Sequence, residues 1–173
     1  MNKKNHILFF MLLMISSVTI RSQNIAVGTS LLYNVQTESF GSGIRVNVFP
    51  NKRISFTPQI SYFFSFNKIH EYTLGLAIEG KFIERNKINL YGILHGGYNS
   101  WLNYKSSGLK DAKPNNWNLE GGIGISTNTC LRPFLEYRYN VKFKETHLNL
   151  GFIYIFGCKK NNRYLIEKCP TFN

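Results

Sequence analysis

Between residues 53 and 66 the chain alternates bulky apolar and small polar side chains: Ile54, Phe56, Pro58, Ile60, Tyr62, Phe64 and Phe66 stand against Ser55, Thr57, Gln59, Ser61 and Ser65. A period of two is the signature of an extended strand, because successive side chains leave opposite faces of the backbone. A helix would mix both sets on one side. The segment is therefore expected to form a strand with one greasy and one polar face, and any fold it joins must satisfy both.

The same rhythm recurs along most of the chain. Residues 25–35 set Ile25, Val27, Leu31, Tyr33 and Val35 against Ala26, Gly28, Ser30 and Asn34; residues 40–49 set Ile44, Val46 and Val48 against Gly41, Gly43, Arg45 and Asn47. Residues 72–82 place Tyr72, Leu74, Leu76, Ile78 and Phe82 opposite Thr73, Gly75, Ala77, Glu79 and Lys81. In 88–101 the pattern is mixed, since Tyr91 and Ile93 share a face with Asn89, His95 and Asn99. Residues 117–127, 131–143 and 147–156 complete a set of about eight predicted strands, the smallest number found in transmembrane barrels. Pro58 and Pro133 fall inside predicted strands, where each removes a ladder donor, and are expected to mark bulges.

Alternation alone leaves two architectures open. A soluble calycin-like carrier turns the greasy face inward, whereas a membrane barrel turns it toward lipid. Tyr33, Phe40, Phe66, Tyr72, Tyr98, Trp117, Phe143 and Phe156 lie near strand ends on the apolar face, where two interfacial aromatic belts are expected. The middle of that face carries almost no charge, as a lipid-facing band requires. Connections near Pro50, Asn86 and Asn128 are tight, while 102–116 is long and rich in Lys, Ser, Gly, Asn and Pro. The expected fold is an all-β, eight-stranded antiparallel transmembrane barrel with short periplasmic turns, one long external loop and a short C-terminal periplasmic tail.

The final strand adds a more specific signal. Residues 149–156 read N-L-G-F-I-Y-I-F, so that Asn149, Gly151, Tyr154 and Phe156 form a polar-x-Gly-x-x-aromatic-x-aromatic pattern. This resembles the terminal signal by which outer-membrane barrels are recognised by their assembly machinery. Across nearly the whole mature chain, the strand pattern is similar to the OmpA/OmpX-like and PorT-like small barrel families. The resemblance implies a Gram-negative outer membrane as location, its lipid as surroundings, and the barrel-assembly machinery as a partner during biogenesis. It carries no diagnostic functional motif, and a shared fold does not specify a function.

Residues 1–23 read as a secretory signal: Lys3 and Lys4 precede an apolar run, 7–15, that is shorter than a membrane-spanning helix, with Ser16, Ser17 and Ser22 near the cleavage region. Residues 24–157 then form the barrel and 158–173 a basic periplasmic tail bearing Lys159, Lys160, Arg163 and Lys168. The formal charge of +12 stays positive after loss of the signal segment. For an exported chain with scattered cations, this points to anionic lipid headgroups or a surface polysaccharide rather than nucleic acid. Of the cysteines Cys130, Cys158 and Cys169, one pair is expected to bridge in an oxidising compartment; Cys158 has either Cys169 or Cys130 as its candidate partner.

Arg45, Glu79, Lys81, His95, Glu120, Glu136 and Arg138 are expected to point inward at similar middle heights, with three carboxylates meeting three permanent cations. An eight-stranded lumen is just wide enough for side chains to fill, and buried charges persist when paired. A structural plug is thus expected, with an ion path or Glu/His catalysis as the sharper alternative. His70 and His147 are expected near the outer rim, without a companion nucleophile of the lipid A deacylase kind. The Gly-Gly pairs at 96–97 and 121–122 precede no helix, and no cofactor is expected. Tyr104, Lys105, Lys110, Lys113 and Trp117 are candidate contacts of the long loop. The function expected is a non-enzymatic membrane scaffold or surface-interaction protein. Alternatives are a subunit of a larger envelope complex docking through the tail, a lipid A-modifying enzyme, or the soluble carrier.

Overall fold

The computed structural model describes residues 24–64, 70–85, 87–102 and 115–158. The segment 1–23, the candidate loop contacts Tyr104, Lys105, Lys110 and Lys113, and the tail with Cys169 lie outside them. The chain forms β1 (Ile25–Asn34), β2 (Ser39–Val48), β3 (Ile54–Phe64), β4 (His70–Glu84), β5 (Ile88–Leu102), β6 (Asn115–Thr127), β7 (Leu131–Asn140) and β8 (Glu145–Ile155). Each strand pairs antiparallel with its sequence neighbours, and β8 returns to β1, from Ala26 opposite Ile155 to Asn34 opposite His147. Closure removes every sheet edge, so backbone donors and acceptors are satisfied between strands.

The faces are inverted relative to a soluble protein. The largest fully buried side chains include Arg45, Arg138, His95, Glu136, Asn89 and Asn149, whereas Leu31, Ile44, Ile60 and Ile123 are each about 60 % exposed on the outer surface. Buried charge without solvent and bare aliphatics around the girth fit only a barrel whose surroundings are hydrocarbon. The soluble-carrier expectation is therefore overturned, because the lumen is polar and the greasy face is outside. Aromatic pairs mark both ends of the outer band. Tyr33 with Phe40, Tyr62 with Phe64, and Tyr98 with Trp117 lie 4.8, 5.0 and 5.2 Å apart at the loop end, and Tyr154 with Phe156 lies 5.5 Å apart at the opposite, turn end.

Several local expectations change. Pro58 and Pro133 make no bulge: the β2–β3 and β7–β8 registers stay constant past them. Pro58 instead leaves a gap in the β2 ladder between the Arg45–Gln59 and Val48–Phe56 pairs, while its pairing to Leu76 on β4 is intact. The register shift lies in β4, between Lys81 and Ile83, where one extra residue turns Phe82 and Ile83 outward together. β7 ends at Asn140 rather than Phe143, because the Asn140 side-chain oxygen accepts the amides of Lys142 and Phe143 and starts a turn. Asn34 does the same for Gln36 and Thr37 after β1. Both turns then place the fourth residue on, Glu38 or Lys144, at positive φ.

At the turn end Cys130 is bonded to Cys158, so the β6–β7 turn is tied to the segment that follows β8. This is the Cys130 alternative rather than the Cys158–Cys169 one. Above it Ala26, Phe134, Ile153 and Ile155 form a small apolar layer inside the barrel.

Candidate functional site

The lumen is filled by hydrogen-bonded side chains, and Glu136 is its centre. This carboxylate, 0 % exposed, receives Arg45 Nη1 on Oε1 at 2.7 Å and Arg45 Nη2 on Oε2 at 3.1 Å, a two-pronged pairing. Arg138 adds its Nε at 3.0 Å and Nη2 at 2.5 Å, the Tyr91 hydroxyl donates to Oε1 at 2.8 Å, and Asn149 Nδ2 donates to Oε2 at 2.9 Å. Donors from β2, β5, β7 and β8 thus converge on one side chain. Gln59 Oε1 accepts from both guanidinium groups, at 3.1 and 3.2 Å, and bridges them. The Arg45 guanidinium lies over the Phe134 ring, 4.3 Å from its centroid.

Toward the loop end, Glu120 forms a second node. His95 Nδ1 and His147 Nδ1 approach its two oxygens at 3.1 Å each, and Arg138 Nη1 stands 3.8 Å away, joining the nodes. The Gln59 oxygen is taken by the two arginines, and its amide nitrogen lies 3.2 Å from His95 Nε2. The other ring nitrogen of His147, Nε2, stands 3.6 Å from the Glu145 carboxylate.

Toward the turn end, Glu79 is held by neutral donors: Thr57 at 2.7 Å, Asn47 at 2.9 Å and Ser55 at 3.1 Å. Lys81 does not belong to the central tier. Its ammonium donates to the Pro50 carbonyl at 2.8 Å, as does Arg132 Nη1, and these two cations cap the β2–β3 turn where it folds under the barrel mouth.

The seven charged residues expected inside all point inward, but at several heights and without one-to-one pairing of carboxylates and permanent cations. Lys81 reaches the β2–β3 turn instead of a central carboxylate, and Glu79 makes no ion pair among the described residues. His147, expected at the rim, is buried against Glu120. Gln59, Tyr91, Arg132 and Asn149 complete the lumen network. Their positions on the polar face of each strand were a usable signal; their partners were not. Trp117, expected as a loop contact, sits on β6 facing outward with 73 % exposure and belongs to the aromatic belt.

The residues of the terminal pattern divide by face. Asn149 and Gly151 point inward, and Tyr154 and Phe156 outward. The Thr29 carbonyl oxygen, and next to it the Phe134 ring, occupy the space that a side chain at residue 151 would need. Glycine there lets Phe134 lie under Arg45, and Gly124 likewise makes room for the Tyr91 ring.

Little space is left. The cavity bounded by Gln59, Phe63, His95, Glu120 and His147 measures about 10 Å³, room for about one water. Among the described residues no cluster of His, Cys, Asp and Glu is arranged to hold a metal ion.

A closed eight-stranded antiparallel sheet, apolar outside and polar within, defines a membrane-spanning β-barrel. No family model and no curated protein matches the chain. Among solved structures it is similar to a de novo designed transmembrane β-barrel, with TM-score 0.50 and 10% identity over 76% of this chain and 94% of that one. It is also similar to Neisserial surface protein A, at TM-score 0.49 and 13% identity over 76% and 94% of the respective chains. The outer membrane protein Ail of Yersinia pestis in a phospholipid nanodisc gives TM-score 0.47 and 14% identity over 75% and 97%. At these identities the likeness is one of fold.

Proposed function

We propose that the protein is a non-enzymatic outer-membrane barrel, a scaffold that presents its loop end outside the cell and its turn end to the periplasm. The observation carrying this is the lumen network centred on Glu136. Glu136 and Glu120 each engage several donors from different strands, so the interior stiffens the wall rather than forming a path through it. The histidines support the same view. His95 and His147 are committed to Glu120, and His70 stacks on Tyr62 with ring centroids 5.8 Å apart, an arrangement that offers no activated nucleophile. Interaction is then left to the loop end, where 103–114 is the longest connection between strands.

The test is fractionation followed by electrophoresis in SDS. An outer-membrane fraction yielding a fast unheated band that slows on boiling, and planar-bilayer recordings without steady conductance, support the proposal. Recovery as a soluble periplasmic protein, or a stable conducting pore, overturns it.

A further inference from the structure

Two neighbouring turns at the turn end carry an uncompensated group of cations. The β2–β3 turn bears Lys52 and Arg53, and the β4–β5 turn bears Arg85 and Lys87; all four side chains are exposed. The turns are adjacent because the Lys81 amide donates to the Arg53 carbonyl at 2.8 Å, alongside the bulge. The only carboxylate between them, Glu84, is engaged by Lys81 at 3.6 Å, and none of the four exposed cations is ion-paired among the described residues. The third turn at this end, 128–130, has no charged residue and is occupied by the disulfide. Among the described residues, the exposed positive charge of the turns at this end therefore lies on one side of the barrel.

Directly beneath these cations the outer wall is apolar. The bulge turns both Phe82 and Ile83 outward, 58 % and 43 % exposed, where regular pleating would expose one of them. Ile54, Phe56 and Ile88 flank them on β3 and β5. Hydrocarbon-facing side chains below and exposed cations above, of which Lys52 Nζ rests 4.5 Å from the Phe49 ring centroid, match the two halves of an anionic amphiphile. A free phosphate would use only the upper half.

We propose that Lys52, Arg53, Arg85 and Lys87, above the wedge of Phe82 and Ile83, form a seat for the headgroup of an anionic phospholipid in the leaflet at the turn end. The proposal rests on the membrane-barrel assignment of the preceding subsection. Each cation beside an anionic surface contributes about a fivefold gain in binding, so removing the group weakens the contact by at least about tenfold.

The experiment is native mass spectrometry of the full chain extracted in detergent and titrated with phosphatidylglycerol or phosphatidylcholine, with heat-modifiable mobility checked for every sample. Preferential binding of phosphatidylglycerol is expected, lost in Lys52→Gln/Arg53→Gln/Arg85→Gln/Lys87→Gln and retained in a loop-end control, Lys142→Gln/Lys144→Gln. Equal binding of the two lipids by the unaltered chain overturns the seat, as does undiminished preference in the folded quadruple variant. Should the quadruple variant not fold, the single changes Arg53→Gln and Arg85→Gln must each weaken the preference, or the seat is wrong. A chain without heat-modifiable mobility overturns the membrane assignment itself, and the seat with it.

Discussion

Arg45 Nη1 and Glu136 Oε1 lie 2.7 Å apart, with both side chains sealed from solvent, although they belong to β2 and β7, which are not neighbours in the sheet. The contact reaches across the interior over β1 and β8, the strands whose pairing closes the barrel. A charge pair in this position is a cross-brace. Its loss leaves guanidinium groups in a space that water barely enters.

Glu136→Gln is expected to destabilise the barrel by about 3 to 5 kcal/mol, the usual cost of removing one partner from a buried ion pair. Urea unfolding followed by the gel shift between folded and unfolded bands measures it. A loss under about 1 kcal/mol would show that the network does not brace the wall.

Gly124→Ala is expected to cost about 1 to 3 kcal/mol by pushing the Tyr91 ring away from Glu136. The three atoms nearest a Cβ at residue 124 all belong to the Tyr91 side chain. In a Tyr91→Leu background the same change should cost far less, and a double-mutant cycle reads the coupling. Additive effects would contradict the fit.

Cys130→Ser removes a link between residues 28 apart in sequence. The expected loss is about 3 to 4 kcal/mol on the loop-entropy model, and peptide mapping of the unreduced protein should recover Cys130 joined to Cys158. Recovery of a different pair would refute the link.

The two tryptophans should report different surroundings. Trp117 faces outward beside Tyr98, whereas the Trp101 indole donates to Glu71 at 3.2 Å. In lipid brominated near the headgroup, the Trp101→Phe variant, which retains Trp117, is expected to be strongly quenched and the Trp117→Phe variant weakly. Equal quenching would place the belt wrongly.

Lys144→Gly is expected to stabilise by about 0.5 to 1 kcal/mol, because Lys144 holds φ near 55° and a side chain there is strained. A lower urea midpoint in the glycine variant would contradict this.

The strands were legible because each must satisfy two environments at once. Ile54 to Phe64 alternate as they do because one face meets an apolar environment and the other a polar one, and which of the two lies outside was legible from the aromatic strand ends. Inward direction was legible for the same reason, including the mixed face of β5, where Tyr91 and Ile93 share the lumen with Asn89 and His95. Partnership was not legible, since it depends on height. Lys81, two residues on from Glu79, reaches down to the Pro50 carbonyl, a partner that no pattern of apolar residues announces. The cysteine pair was hidden similarly, because Cys130 meets Cys158 only through the register of β7 against β8. The twin turns left a trace that sequence reading missed: Asn34-Val35 and Asn140-Val141 each begin a four-residue connection built on the asparagine side chain. The bulges expected at Pro58 and Pro133 failed because a missing donor can be absorbed by a gap in one ladder without adding a residue.

The convergence of β2, β5, β7 and β8 on Glu136 bears on how such a chain is finished. Until the first and last strands meet, Arg45, Arg138 and Glu136 have no enclosed chamber in which to satisfy one another, and an open sheet would present bare ions to oil. The bilayer cannot accept that surface. Solvent exclusion thus acts as an inspector, admitting the completed cylinder and turning back the half-built one.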